Sequence, residues 1–131
     1  MSTPAGFVIS ESEQPIISLY SHWDGYPKGN PLDVMQWLND IRITNALTYD
    51  QTNVANGVNC LIAQLIAAFK KEPGGWYVYP TNKVYEMYVN YIYHIDVKGS
   101  DMYITAYEKR NTNTTRIFQG TPKEYINKFG Q

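Results

Sequence analysis

The 131-residue chain is long enough to bury one hydrophobic core, and 44% of its residues are apolar. Its 11 Lys and Arg nearly balance 12 Asp and Glu, which argues against a non-specific hold on DNA or RNA. A single cysteine, Cys60, excludes an intrachain disulfide framework and a multi-cysteine metal site, and fits a reducing compartment.

Residues 1–14 read as polar and irregular, with Phe7-Val8-Ile9 a short strand within them, and lack the basic and apolar regions of a signal peptide. Ile16 to Tyr20 reads as a strand, followed by the dense loop His22-Trp23-Asp24-Gly25-Tyr26-Pro27-Lys28-Gly29. Asn30-Pro31-Leu32-Asp33 then opens a helix, with Asn30 expected as its cap and Leu32, Met35, Leu38 and Ile41 on one stripe. Residues 44–52 read as a polar connection. From Asn53, the positions Val54, Val58, Leu61, Ile62, Leu65, Ile66 and Phe69 predict a second amphipathic helix. Lys70-Lys71 is expected in its last turn, and Pro73-Gly74-Gly75 stops it. Cys60 falls on its small, polar side, away from Val58.

Trp76 to Tyr79 predicts a strand ended by Pro80, and Val84 to Val97 alternates strictly enough to predict one long strand. Met102 to Lys109 and Arg116 to Gln119 complete a meander, with a turn over 111–115. Thr121-Pro122-Lys123-Glu124 is a capping box that starts a short C-terminal helix. The expectation is one α+β domain over residues 1–131. Its antiparallel sheet has about four to five strands, two main helices pack on one face, and the C-terminal helix is short. No run approaches the roughly 18 apolar residues of a membrane span.

Standard nucleotide, zinc-protease and serine-hydrolase motifs are missing, and no cofactor or metal site is expected. The two histidines, His22 and His94, each precede an aspartate by two positions, giving the pairs His22/Asp24 and His94/Asp96. Neighbours two apart share a face in extended chain, so His94 and Asp96 present imidazole and carboxylate together, as a secondary candidate. Alternation alone also puts polar residues there. In the first pair, Gly25 is expected to take the positive φ and Asp24 to close an Asx turn. Trp23 is expected against the core, and His22 and Tyr26 on an accessible rim. With Lys28, these residues (His22, Trp23, Asp24 and Tyr26) form the candidate ligand site, suited to a planar or phosphorylated small molecule. The competing reading is a small hydrolase or metal-dependent enzyme using His22 and Asp24 as catalytic groups.

Tyr20-Ser21-His22-Trp23-Asp24-Gly25-Tyr26-Pro27 resembles a Tyr-x-His-Trp-Asp-Gly-Tyr-Pro signature of small uncharacterised bacteriophage and prophage proteins. Trp76 to Pro80, the aromatic strand Tyr88 to Ile95 and Phe118 to Tyr125 match the same pattern in the same order, with Tyr125 in place of a phenylalanine. The resemblance implies a phage-encoded accessory protein in the host bacterial cytoplasm, and transfers no activity. The expected partner is a host protein or a small nucleotide-like ligand, not a membrane or nucleic acid. Tyrosine-rich strands at a sheet edge would additionally permit a homo-oligomer.

Overall fold

A computed structural model describes residues 2–45 and 53–131. Their strands are β1 (Ala5–Glu11), β2 (Gln14–Ser21), β3 (Arg42–Thr44), β4 (Val54–Asn56), β5 (Trp76–Pro80), β6 (Tyr91–Lys98), β7 (Asp101–Arg110) and β8 (Asn113–Gly120). The helices are α1 (Asn30–Asn39), α2 (Gly57–Phe69) and α3 (Pro122–Phe129). The expected α+β class holds, but the main sheet has six strands, ordered β5-β2-β1-β6-β7-β8, and it is mixed. β1 and β6 run parallel, while the other neighbours are antiparallel. A separate parallel pair joins β3 to β4.

The added strand is β1, in the stretch expected to be largely irregular. It lies at the centre of the sheet, so both its faces are buried and its sequence shows an apolar run rather than alternation. Phe7 and Ile9 face one side and Val8 the other. Gly6 lets the chain approach: a Cβ there would lie 2.6 Å from the Val84 Cβ.

One face carries the main core. Phe7, Ile9, Leu19, Tyr93, Ile95, Ile104, Ala106 and Phe118 meet Val34, Met35 and Leu38 of α1, Leu61 and Leu65 of α2, and Tyr125 of α3. Burial of this kind stabilises by about 25 cal/mol per Å² of apolar surface, which is why the helices lie on this side. Asn30 does not cap α1. Gly29 takes that position, and Asn30 Nδ2 donates instead to the Trp23 carbonyl at 2.8 Å and to Ser21 Oγ at 3.2 Å. α2 begins at Gly57, four residues later than its pattern suggests, because Val54 pairs in β4. It ends at Phe69, with Lys70 as the capping residue. Cys60 is half-buried beside the core and donates to Gln64 Oε1. Thr121 and Glu124 close the reciprocal capping box of α3 as expected. Of the expected 44–52 connection, residues 46–52 lie outside the described residues, and Thr44 ends β3.

The other face is covered at one end only. The long alternating strand expected over Val84 to Val97 starts at Tyr91; Lys83–Glu86 is a 3₁₀ turn instead. Pairing with β1 stops at Ala5, and Asn90 N–H donates to the Pro4 carbonyl just beyond it. Val84 and Val89 then fold over Val8 and Ile92 as a second, smaller core. Alternation in 84–90 thus reflects apolar residues plugging a sheet face, not residues within a sheet.

Candidate functional site

The signature loop is a turn tied to the core by backbone bonds. Gly25 N–H donates to the Thr3 carbonyl at 2.7 Å, and Asn30 N–H to the Asp24 carbonyl at 2.7 Å. Two tyrosines from distant elements hold the turn: Tyr93 donates to the Gly25 carbonyl and Tyr125 to the Pro27 carbonyl, both at 2.7 Å. Burial pushes both phenols far above their ordinary pKa, so each remains a donor. The positive φ falls on Asp24 (55°), not on Gly25. Aspartate tolerates that region, and glycine is needed one residue later because a Cβ on Gly25 would lie 2.5 Å from the Ala5 Cβ. The Asp24 carboxylate is exposed and closes no Asx turn among the described residues.

The expectation that Trp23 joins the core fails: it is 53% exposed, its ring over Gly75 and edge-on to His22. The backbone has already spent this turn on the core through Gly25, which leaves the indole outside. Trp23 borders a hollow of about 220 Å³ with Asn30, Lys71 and Gly75, which His22, Asp24, Tyr26 and Lys28 do not line. Tyr26 is exposed, as expected of a rim. Lys28 Nζ donates to the Gln131 carbonyl at 3.4 Å. His22 Nδ1 and the Tyr20 hydroxyl are hydrogen-bonded at 2.9 Å, so the imidazole is oriented by a tyrosine rather than by Asp24.

The two His-Asp pairs stay apart. Ser18 pairs with Val8 and Val8 with His94, while His22 follows the last residue of β2. Two strand spacings and four residue rises separate the two backbones by roughly 16 Å. Among the described residues no three His, Cys, Asp or Glu side chains gather as a metal site.

The second pair occupies a groove of about 460 Å³ on the open end of the second sheet face. The register builds its floor. His94 pairs with Thr105 and Thr105 with Gln119, while Ser10 pairs with Asp96 and Asp96 with Tyr103. These six residues form two neighbouring rows across the strands, and Glu13, Lys98 and Tyr107 line the groove with them. Asp96 Oδ1 accepts from Ser10 Oγ at 2.7 Å and from Glu13 N–H at 2.8 Å. Its Oδ2 stands 3.9 Å from Lys98 Nζ, which also lies over the Tyr103 ring. His94 Nδ1 is 3.4 Å from the Tyr85 hydroxyl, and its Nε2 is buried with no hydrogen-bond partner. Burial lowers the His94 pKa, with Asp96 opposing, which favours the neutral ring.

No protein-family model, curated protein or solved structure matches the chain.

Ser10, Glu13, Lys98, Tyr103, Thr105, Tyr107 and Gln119 line the groove but were not among the residues that sequence reasoning picked out. The alternation of β7 puts Tyr103, Thr105 and Tyr107 on one face, but their meeting with His94 depends on register. Ser10 carried no signal, since its strand was not read as extending that far. A third concavity is apolar and about 340 Å³, between α2 and β5, lined by Leu65, Phe69, Trp76, Tyr77 and Val78 among others.

Proposed function

We propose that this chain is an accessory binding protein without catalysis, and that its ligand is a small nucleotide-like molecule held in the groove over β6 and β7. The observation that carries the reading is the pair of polar rows, His94-Thr105-Gln119 and Ser10-Asp96-Tyr103, which line a groove on the sheet face that Val84 and Val89 cover at its other end. A concave site with a few convergent polar groups is what an orienting ligand would satisfy. The eight-residue signature supports a phage-encoded role in the host cytoplasm, where one unpaired cysteine is at home.

The reading as a small hydrolase or metal-dependent enzyme finds less support. His22 bonds to Tyr20, Asp24 bonds to neither histidine, and the two pairs do not converge. Capture of a host protein is favoured by one feature, the apolar cleft beside exposed Tyr77 and Val78.

Titration of the isotopically labelled chain with a panel of nucleosides and nucleotides, followed by amide chemical shifts, tests the reading. Shifts at His94, Thr105 and Gln119 are expected. Shifts confined to Trp23–Lys28 or to Tyr77 and Val78, or none at all, would overturn it.

A further inference from the structure

The charge and the free hydrogen-bonding capacity of the groove narrow its ligand further, given that the groove is the ligand site. The Asp96 carboxylate and the Lys98 ammonium line it, and Glu13, an exposed residue at its border, adds a second acidic group. That ammonium already faces Asp96 and the Tyr103 ring. Burial opposes a positive charge on His94. A phosphate would therefore enter an acidic surround with one engaged counter-cation. Phosphate sites instead gather arginines, several lysines or a helix N-terminus, and none of these lines the groove; Arg116, just beside it, already donates to Gln119 Oε1 at 3.0 Å.

The uncovered capacity is of another kind. Asp96 Oδ1 is occupied twice, but Oδ2 lies beyond hydrogen-bonding distance of Lys98 and keeps room to accept. Among the described residues the Thr105, Tyr103 and Tyr107 hydroxyls bond to no protein group, and the Gln119 side chain engages Arg116 through its oxygen only. The cross-strand pairs Asp96–Tyr103 and Thr105–Gln119 have backbones about 4.8 Å apart across the floor, a spacing that adjacent substituents of one small ring can bridge. Tyr103 is 46% exposed and offers an apolar ring face at the wall.

We infer that the groove takes a neutral ring bearing adjacent hydroxyl groups, with Asp96 accepting from the hydroxyls and Tyr103 covering the ring's C–H face. The ribose of a nucleoside and a free sugar share this chemistry.

Calorimetric titration of the full chain with adenosine, 2′,3′-dideoxyadenosine, adenosine triphosphate and glucose tests the assignment, with amide shifts locating each probe. Adenosine or glucose is expected to bind in the groove, and which of them does so identifies the source. At least tenfold weaker binding is expected for the dideoxynucleoside and for the triphosphate. Asp96→Asn keeps an oxygen for Ser10 and Glu13 while removing the charge, so it is expected to narrow the gap between adenosine and the triphosphate. Tyr103→Ala changes an exposed side chain and is expected to weaken whichever neutral ring binds by at least threefold. A triphosphate that binds the groove more tightly than adenosine, or a dideoxynucleoside that binds equally well, would overturn this inference and leave the groove as a ligand site. Silence of the groove toward every probe would overturn both.

Discussion

Gly25 and Trp23 are close in sequence and opposite in consequence. Gly25 is buried where any Cβ would collide with the Cβ of Ala5, the first residue of β1, and, at 2.6 Å, with the Thr3 carbonyl oxygen just before it. Trp23 rests on the surface against Gly75 and His22. Gly25→Ala is therefore expected to cost about 1–3 kcal/mol in urea unfolding, as overpacking does. Trp23→Ala should change stability by no more than about 0.5 kcal/mol, as an exposed substitution away from caps and core does. Equal effects of the two would mean that the turn is not held as described. The densest chemistry in the sequence is thus largely a structural device, because its glycine, its asparagine and two remote tyrosine hydroxyls hold backbone atoms in place. Residue types alone do not show that, since the partners come from β6 and α3.

The elements differ in how legibly the sequence announces them. α3 is written in four residues, Thr121 to Glu124, because its cap is local. β2, β5, β7 and β8 follow alternation or turn residues. β1 shows in the sequence only as its middle, Phe7-Val8-Ile9, and the 3₁₀ turn over Lys83–Glu86 reads as strand, since a strand buried on both faces has no period and a plug of apolar residues can imitate one. The site shared that fate: His94 and Asp96 could be paired from spacing, but their groove needed the register of β6 with β1 and β7. The sheet's two outer strands carry a further device. Lys70 Nζ donates to the Trp76 carbonyl of β5, Pro80 has no N–H to offer, and Lys128 Nζ donates to the Ile117 carbonyl of β8. Charged lysines and proline at sheet edges discourage pairing with another copy. The chain is accordingly expected to be monomeric in light scattering, and Lys70→Ala with Lys128→Ala to raise its self-association. A wild-type dimer, or a double variant no more associated than wild type, would show that these lysines do not guard the edges.

Stability of the whole molecule should carry the imprint of one imidazole. Burial holds the His94 pKa below its ordinary value of 6.5, with Asp96 pulling upward and the Tyr85 hydroxyl facing the ring. The unfolded chain then binds a proton at pH values where the native chain does not. This contribution is intact above about pH 6.5 and is lost as pH falls through the lower native pKa. Thermal unfolding is expected at a steady temperature from pH 8 to 7 and at lower temperatures below 6.5. His94→Gln should flatten the upper part of that decline, before the carboxylates titrate, and an unchanged profile would remove His94 as its source. The central position of β1 has a consequence in time. β1 leaves the ribosome before β6, whose paired residues lie 86 positions later, and must wait for it to complete its hydrogen bonds on one side. The signature turn waits longer still, for Tyr125. Long-range closure of this kind slows folding, so a nascent chain stalled before residue 91 carries an apolar β1 with one edge open. Such a chain is a natural client for a chaperone, and the completed protein is not.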